Sequence, residues 1–387
     1  MEKKKIIHFV IDDIFINDSI KCFTESGLTE NAFYFVSNDK NYTLAFKNAA
    51  IQIISDDEAL SLVKKDGFDA LILHSLYALP PYILRAVNSK AKVIWFAWGY
   101  DIYTNYFPYK PLVPIKTYKK LTHNANCRLD LKKEKTRITE PLKRIIYREK
   151  FSNKIIKSAL SRIDLFGGVF EEEYDLLNNN VPCFRAKRIR HNYIHPEEFE
   201  LKELECIQRY EGDNILLGNS AGATNNHIDV MYLLHKAIGG KSNGIKIICP
   251  LSYGGKKDYI DKVIKTGRNL FGDSFVPLTS FLPLDEYNSL VQSCSSVLMG
   301  HLRQAAVGNC LTSMWMGLKL FMYEDSMNYQ HYSKEGLTIF SLDTDLSGEF
   351  LKQRLHDNDI LKNRSFIESH HSYRIWKDNL RKLISEI

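Results

Sequence analysis

Two stretches in the second half of the chain have the residue types of an anion-binding site. The first is the turn Gly218-Asn219-Ser220, which follows the apolar run Ile215–Leu217 and precedes a helical pattern from Ile228. A strand, a turn of small residues and a helix N-terminus direct free backbone N–H groups and the positive end of the helix dipole at one point. The pattern predicts a phosphate-binding turn, although any strand–turn–helix corner of an α/β protein can share it.

The second stretch follows the apolar run Ser296–Met299 and contains Arg303, Gln304, Gly308 and Asn309. Two helix N-termini in neighbouring βα units can hold a diphosphate, and an arginine adds a bidentate cation. The alternative is a surface arginine beside an ordinary helix cap.

A third loop follows the apolar run Lys246–Cys249 and carries Tyr253. This side chain could cover a base or a ribose, or it could simply pack against the protein.

In the first half, the segment from Trp95 to Tyr103 combines aromatic rings, a glycine and a carboxylate, and it includes Trp98 and Asp101. Aromatic faces suit the apolar faces of sugars. We therefore expect Trp95, Trp98 and Tyr103 to contact a sugar, and Asp101 to act as a general base for an acceptor hydroxyl. The alternative for Asp101 is an Asx turn or an N-cap after the strand.

His74 and Asp13 are further catalytic candidates, because each lies at or just after the end of a predicted strand. A lone histidine in such a place is more often structural. The D-x-D sequence Asp343-Thr344-Asp345 resembles a metal motif, but it falls where a turn and a helix cap are expected. The sequence therefore predicts neither a metal site nor a cofactor.

Alternating apolar runs and helical patterns predict βαβ units and parallel sheets in both halves. We predict two facing Rossmann-like domains, 1–200 and 201–387, joined by an acidic linker at Pro196–Asp213, with a terminal helix at Ile367–Ile387. In such architectures the ligand lies at the carboxyl ends of the strands. The strands are predicted at Lys5–Ile11, Phe33–Val36, Ile51–Ile54, Ala70–His74, Lys92–Ala97, Leu165–Val169, Ile215–Leu217, Lys246–Cys249, Ser274–Val276, Ser296–Met299 and Leu318–Met322, and the first half ends with a segment at Arg188–Tyr193.

The charge of the chain is concentrated in one segment. The formal net charge is +6, yet residues 110–157 alone carry fifteen Lys/Arg and four Asp/Glu. Within the insertion 106–160, residues 139–160 have the pattern of a basic amphipathic helix. This helix could be a solvated face, a nucleic-acid contact or a contact with anionic lipid. Because base-reading aromatic residues are not interleaved with its charges, we expect an anionic membrane surface and no nucleic acid.

The scattered cysteines and the lack of a long apolar run argue against a disulfide-rich, a zinc-binding and a transmembrane protein. The seven cysteines form no C-x-x-C pair, so we expect no disulfide framework or zinc site and a reducing compartment. No window approaches the roughly 18 uninterrupted apolar residues of a transmembrane helix.

These motifs together resemble a bacterial family that transfers 4-acetamido-4,6-dideoxygalactose from a TDP-linked donor during enterobacterial common antigen synthesis. The resemblance covers most of residues 210–330 and scattered positions before it. It is carried by Ile215–Leu217, Gly218, Asn219, Ser220, Asn225, His227, Pro250, Tyr253, Arg303, Gln304 and Gly308, and by His8, Asp13, His74, Trp95, Trp98, Gly99, Asp101 and Tyr103 in the first half.

The resemblance implies a GT-B fold, in which the C-terminal domain binds the nucleotide sugar and the N-terminal domain faces an undecaprenyl-diphosphate-linked acceptor at the cytoplasmic face of the inner membrane. It implies that Tyr253 contacts the nucleoside. It also implies that the donor diphosphate is bound by Gly218, Asn219, Ser220, Arg303, Gln304 and Gly308, and donor binding by Asn225, His227 and Asn309 is expected with them. The insertion 106–160 and the residues Gly300-His301-Leu302 depart from the family pattern.

We therefore expect a peripheral-membrane glycosyltransferase of the hexosyltransferase class, which moves a deoxy or amino sugar from a TDP- or UDP-linked donor to a lipid-linked oligosaccharide in O-antigen or common antigen synthesis. Two alternatives remain open at this point: another GT-B-type activity, such as a sugar-nucleotide epimerase or a pyruvyl transferase, and more remotely a non-catalytic nucleic-acid binder.

Overall fold

The computed structural model describes residues 3–13, 15–103, 153–191 and 212–387. Within these ranges the chain divides into two compact units. The first comprises the described residues up to 191 together with 371–387, and the second comprises 212–370. Most of the predicted insertion 106–160, its basic helix 139–160 and the linker lie outside the described residues.

The first unit is built on a parallel sheet of seven strands in the order β3-β2-β1-β4-β5-β6-β7. The strands are β1 (Lys4–Phe9), β2 (Thr29–Val36), β3 (Ile51–Ile54), β4 (Ala70–His74), β5 (Lys92–Phe96), β6 (Leu165–Gly167) and β7 (Lys187–Arg188). The helices before the second unit are α1 (Phe15–Ser26), α2 (Asp56–Lys64), α3 (Pro81–Leu84), α4 (Asn153–Leu160) and α5 (Glu171–Asn180).

The second unit contains a parallel sheet of six strands in the order β10-β9-β8-β11-β12-β13. Its strands are β8 (Asn214–Leu217), β9 (Ile247–Pro250), β10 (Phe275–Leu278), β11 (Cys294–Met299), β12 (Lys319–Met322) and β13 (Phe340–Ser341). Its helices are α6 (His227–Ala237), α7 (Lys257–Phe271), α8 (Leu284–Gln292), α9 (Val307–Trp315), α10 (Met327–Lys334), α11 (Gly348–Lys352) and α12 (Asp357–His371).

Each sheet has a point where the chain reverses the direction in which it adds strands. In the first sheet the chain runs outward from β1 to β3 and returns to place β4 on the other side of β1. In the second sheet it runs outward from β8 to β10 and returns to place β11 beside β8. Loops at the carboxyl ends of the strands diverge at such a point and leave a crevice, which is where open α/β sheets bind ligands.

Burial explains the composition of the central strands. All five residues of β4 are buried, because a parallel sheet is covered on both faces. The helix that packs on the first sheet comes in part from the end of the chain: helix α13 (Tyr373–Ser385) contributes Trp376, Leu380 and Leu383 to the first core. We assigned this helix to the C-terminal domain from sequence, whereas the structure places it on the first unit.

The C-terminal helical region predicted at Ile367–Ile387 is present, and it consists of two helices. Helix α12 ends at His371, and Ser372 adopts an extended backbone conformation that begins α13. The Ile375 N–H lies 3.5 Å from the Ser372 side-chain oxygen, which serves as the N-cap of α13. In the described parts of the chain, no helix combines the length and the apolar character needed to cross a membrane.

Two buried histidines join the central strands of the first sheet. His8 on β1 and His74 on β4 are fully buried, and their Nδ1 and Nε2 atoms lie 2.9 Å apart. His8 Nε2 also lies 3.1 Å from Asn31 Oδ1. Burial lowers the pKa of His8 to about 3 and that of His74 well below its usual value. Both imidazoles are therefore neutral, and one donates a hydrogen bond to the other.

We expect this burial to make the protein sensitive to acid. A histidine whose folded pKa lies below the unfolded value of 6.5 contributes stability above that pH and loses it as the pH falls toward the folded pKa. The free energy of unfolding should therefore fall between about pH 6.5 and about pH 5, by up to ~1.4 kcal/mol per pH unit for each buried histidine. Urea denaturation across this range measures the slope.

The variant His8→Asn keeps a polar atom near the position of Nδ1 and removes the titrating group, so it should show a shallower slope than the wild type. The control is His356→Asn, since His356 is exposed. Equal slopes for the wild type and His8→Asn would contradict this account.

Candidate functional site

Three loops of the second unit lie side by side at the carboxyl edge of its sheet. They follow the adjacent strands β9, β8 and β11, and β8 and β11 flank the point where the strand order reverses. The loops span 218–226, 251–256 and 300–306. The donor-binding candidates predicted from the sequence lie in these loops and at the starts of α6 and α9.

The turn after β8 requires a glycine at its first position. Gly218 has a φ of +74°, a backbone conformation that residues other than glycine rarely adopt. A Cβ atom there would lie 2.8 Å from His227 Nε2 and 3.1 Å from Asn225 Oδ1. The side chain of Asn225 secures this turn, because it accepts from the Asn219 N–H at 3.2 Å and donates to Ser220 Oγ at 3.1 Å. The predicted residues of this turn therefore form one hydrogen-bonded unit.

The loops after β8 and β11 touch through their backbones. Asn226, which precedes α6, has a φ of +52° and donates from Nδ2 to the Gly300 carbonyl at 2.6 Å. A Cβ atom at Gly300 would overlap the Asn225 carbonyl oxygen. The small residue at 300 thus allows the two loops to meet.

The loop after β9 completes the group. The Tyr253 carbonyl accepts from the Ala221 N–H at 2.8 Å, and the Tyr253 hydroxyl lies 3.5 Å from Asn219 Nδ2. Tyr253 is 51% exposed. An exposed aromatic ring beside the turn fits the predicted contact with a nucleoside.

His227 lies beneath the turn. Its Nδ1 atom is 3.0 Å from the Tyr259 hydroxyl, and burial lowers its pKa to about 3. The imidazole is therefore neutral. It lies against Gly218 and Tyr259 and supports the turn.

His301 is a site residue that the sequence analysis noted only as a departure from the family pattern. It is 1% exposed, and its Nε2 atom lies 3.1 Å from Asn219 Oδ1. Burial, together with the neighbouring Arg303 charge, lowers its pKa to about 3. Because an amide oxygen only accepts hydrogen bonds, Nε2 carries the proton and Nδ1 presents a lone pair.

The loops after β8 and β11 contain three buried polar atoms that lack a partner. His301 Nδ1, Asn226 Oδ1 and Gln304 Oε1 are buried and have no hydrogen-bond partner. Buried polar atoms are nearly always paired, so an unpaired group calls for an explanation. A polar ligand that supplies hydrogen-bond donors is one such explanation. This signal depends on the fold and is invisible in the sequence.

The loop after β11 also carries the predicted cation. Arg303 is partly exposed and donates from Nη1 to the Gln304 carbonyl at 2.6 Å. Gly308 is the second residue of α9, and no heavy atom lies within 4 Å of the position that its Cβ would occupy. Asn309 donates from Nδ2 to the Tyr287 hydroxyl at 3.2 Å, so its amide is engaged with α8. The structure thus leaves open space beside the first turn of α9.

In the first unit, Asp101 is fully buried and its carboxylate is occupied. Oδ2 accepts from the Leu76 N–H at 2.8 Å and from Trp95 Nε1 at 2.9 Å, and Oδ1 accepts from the Trp98 N–H at 2.9 Å. Burial raises the pKa of Asp101, whereas these hydrogen bonds oppose that shift. All three donors precede Asp101 in the chain, so the carboxylate forms neither an Asx turn nor an N-cap. Its enclosed position also differs from that of an accessible general base.

The other first-unit candidates are also mainly enclosed. Trp95 is fully buried and packs edge to face on Phe166 at 5.0 Å, which leaves no ring face open to a sugar. Tyr103 is 6% exposed, and Trp98 is partly exposed. The side chain of Asp13 is partly exposed, and its carbonyl accepts from the Ile16 N–H at 3.2 Å near the start of α1.

The D-x-D sequence forms the turn that was predicted for it. It follows β13, and the Ser341 N–H donates to Asp345 Oδ2 at 2.7 Å. Ser347 then caps α11, because its side chain accepts from the Phe350 N–H. Over the described ranges of the chain, no group of three or more His, Cys, Asp or Glu side chains is arranged to hold a metal ion.

Residues 188–382 match the family model described as 4-alpha-L-fucosyltransferase glycosyl transferase group 56. The chain belongs to this family. The matched segment includes all three loops of the second-unit site, whereas Asp101, Trp95 and His74 lie outside it. Family membership makes the protein a group 56 glycosyltransferase. It therefore favours sugar transfer over the epimerase, pyruvyl transferase and nucleic-acid-binding alternatives that the sequence left open.

Solved structures show the fold of this group 56 glycosyltransferase. The N-terminal domain of Candida albicans trehalose-6-phosphate phosphatase aligns with a TM-score of 0.65 at 11% identity, covering 100% of this chain and 97% of that one. Alr3699/HepE from Anabaena, solved with UDP and glucose, gives 0.61 at 9% identity, covering all of both chains. The lipopolysaccharide outer core galactosyltransferase WaaB gives 0.59 at 10% identity, also over both full chains. The α/β fold with two Rossmann-like sheets is the GT-B fold expected from the sequence.

The contacts of Asp101 predict that its substitution acts on stability. Asp101→Asn replaces one acceptor oxygen by a donor that faces N–H groups. We therefore expect the free energy of unfolding of the group 56 glycosyltransferase to fall by about 2–3 kcal/mol. Urea denaturation measures this change. The control is Asp12→Asn, because Asp12 also accepts three hydrogen bonds, from the Tyr42 hydroxyl and from the N–H groups of Ala45 and Phe46, but is only partly buried.

We expect the smaller loss for Asp12→Asn. An unchanged urea midpoint for Asp101→Asn, accompanied by complete loss of sugar transfer, would instead support the general-base role.

Proposed function

We propose that this glycosyltransferase moves a 6-deoxy sugar, with or without an amino substituent, from a TDP- or UDP-linked donor to a hydroxyl group of a lipid-linked oligosaccharide in bacterial surface polysaccharide synthesis. The observation that carries the proposal is the meeting of three loops at the carboxyl edge of β9, β8 and β11. These loops bring together a glycine turn, a helix N-terminus, an arginine and buried polar atoms that lack partners.

The donor diphosphate fits the start of α9, beside the turn at Gly218. The N–H groups of Gly218, Asn219 and Ala221 already donate to Leu298, Asn225 and Tyr253. The backbone N–H groups at the start of α9 and the positive ends of the helix dipoles favour a bound anion. Arg303 adds a charge whose planar fork suits phosphate oxygens. During transfer, the acceptor oxygen forms a bond to the anomeric carbon, the bond to the diphosphate breaks, and the hydroxyl proton is released. The same groups stabilise the negative charge that develops on the leaving diphosphate.

Two observations support the proposed class of sugar. The family description names a fucosyl transfer, and the motifs resemble transferases of 4-acetamido-4,6-dideoxygalactose. Both sugars have a 6-deoxygalactose skeleton. The unpaired His301 Nδ1 and Asn226 Oδ1 can accept hydrogen bonds from hydroxyl or amide groups of such a sugar. We propose the nucleotide TDP first, because the motif resemblance implies it.

The acceptor and the membrane belong to the proposal as well. The basic segment 139–160 would bind an anionic surface at the cytoplasmic face of the inner membrane, where a lipid-linked acceptor is presented. Support for this part comes from the charge and amphipathic pattern of the sequence.

A nucleotide panel tests the donor proposal. The thermal unfolding midpoint is measured with TDP, UDP, GDP and CMP, and mass spectrometry then follows transfer from TDP-4-acetamido-4,6-dideoxygalactose to lipid extracts that contain polyprenyl-linked saccharides. A ligand at 100 times its dissociation constant stabilises the folded state by about 2.7 kcal/mol. We therefore expect the nucleotide that binds most tightly, which is TDP in this proposal, to raise the midpoint most. A panel in which no nucleoside diphosphate changes the midpoint would overturn the proposal.

Substitutions at Gly308 and Gly218 separate an effect on diphosphate binding from an effect on stability. Gly308→Ala adds a methyl group in open space beside the first turn of α9, so the free energy of unfolding should stay equal or rise by up to about 1 kcal/mol. The same methyl group should weaken TDP binding about tenfold, or ~1.4 kcal/mol. Gly218→Ala should instead lower the free energy of unfolding by about 1–3 kcal/mol, because it strains the turn. Calorimetric titration and urea denaturation separate the two effects.

Arg303→Ala should weaken TDP binding about tenfold to a hundredfold and leave thymidine binding unchanged. Arg303→Lys is the control that keeps the charge and removes the planar fork. Equal losses for TDP and thymidine would place Arg303 away from the diphosphate.

A further inference from the structure

A pair of tyrosine rings lies at the carboxyl edge of the first sheet. Tyr77 is in the 3₁₀ turn after β4, and Tyr100 is in the loop after β5. Their rings are parallel within 7°, with centroids 5.8 Å apart. Tyr77 is 39% exposed and Tyr100 is partly exposed. The pair therefore presents aromatic surface to the outside of the first unit.

The backbone beside this pair is strained. Ser75 is fully buried and has a φ of 111°, far from the regions that a serine prefers. Its side-chain oxygen accepts from the Tyr77 N–H at 3.3 Å and from the Tyr100 hydroxyl at 3.1 Å. One strained residue thus holds the start of the turn that carries Tyr77 and the hydroxyl of Tyr100. Backbone strain persists only where the surrounding contacts determine it, and it is found preferentially at functional sites.

The buried carboxylate of Asp101 holds the same two segments together. It accepts from the Leu76 N–H, next to Tyr77, and from the Trp98 N–H, two residues before Tyr100. Burying a carboxylate carries a free-energy cost that its hydrogen bonds must offset. A strained serine and a buried carboxylate therefore fix the two segments that carry the tyrosines, of which Tyr77 is exposed and Tyr100 is partly exposed.

We propose that Tyr77 and Tyr100 form a stacking surface for a pyranose ring of the acceptor glycan. This inference rests on the proposed function, which assigns the donor to the second unit and leaves the acceptor to the first. The pair follows β4, which flanks the reversal point of the first sheet, and β5 beside it. The Tyr100 hydroxyl donates to Ser75, and the exposed part of the ring pair is the proposed contact surface, because aromatic faces suit the C–H faces of sugars.

The experiment is saturation-transfer NMR on the full chain with the methyl glycosides of glucose, N-acetylglucosamine and N-acetylmannosamine. We expect saturation at the ring C–H protons of at least one glycoside with the wild type and with Tyr77→Phe. For Tyr77→Ala, the dissociation constant of that glycoside should rise about threefold to tenfold. The control is Tyr232→Ala, because Tyr232 is a 38% exposed tyrosine on α6 of the second unit. Circular dichroism confirms that each variant is folded.

The outcomes separate this proposal from its alternatives. Glycoside binding that is weakened by Tyr77→Ala, with an unchanged TDP dissociation constant, supports the acceptor surface. The proposal is overturned by the absence of saturation with all three glycosides, by equal saturation in Tyr77→Ala and the wild type, or by weakened TDP binding. Loss of binding to phosphatidylglycerol vesicles without loss of glycoside binding would assign the pair to a lipid contact. A wild type that binds a glycoside but no nucleoside diphosphate would contradict the proposed donor and not the tyrosine pair.

Discussion

The second-unit site depends on a close approach of two backbones. The Gly300 backbone lies so close to the Asn225 carbonyl that a Cβ atom at residue 300 would overlap it, and the Asn226 side chain donates to the Gly300 carbonyl beside this point. The parallel pairing of β8 with β11 places both loops at one edge of the sheet. Once they meet, His301 reaches Asn219, and the turn at Gly218 is held between Asn225 and His227. The hydrogen bonds that hold this site therefore depend on the close approach of the two loops at Gly300.

In the first unit, two loops at the carboxyl edge of the sheet are joined by a side chain. The loops after β4 and β5 are joined by the Asp101 carboxylate, which reaches Leu76 on one side and Trp98 on the other. A side chain spans a wider gap than two touching backbones, but a buried carboxylate must have its hydrogen bonds satisfied. This requirement explains why Trp95 directs its Nε1 inward to Asp101 and is lost as a sugar-binding surface.

Periodicity in the sequence was sufficient for most of the fold and insufficient for much of the site. The strand Ala70–His74 was predicted with its observed bounds, because an apolar run marks a buried parallel strand. Ile51–Ile54 was also predicted with its observed bounds, although it is an edge strand with exposed residues. The two-residue strand Phe340–Ser341 was missed, since so short a strand has no period. Local sequence placed Asp101 after a strand but did not reveal that its carboxylate is enclosed. The contact between His301 and Asn219 joins residues 82 positions apart and has no local signal.

The electrostatics of the second-unit site suit an anion whose binding does not depend on the protonation of its histidines near neutral pH. Burial keeps His227 and His301 neutral, with pKa values of about 3, so neither adds a positive charge. In the proposed donor site, the attraction for phosphate would come from the guanidinium of Arg303 and from backbone N–H dipoles. A guanidinium stays charged throughout the physiological range, and backbone dipoles do not titrate. In this proposal the neutral His301 would act on the sugar through a hydrogen bond, His227 would support the turn, and the permanent charge would hold the diphosphate.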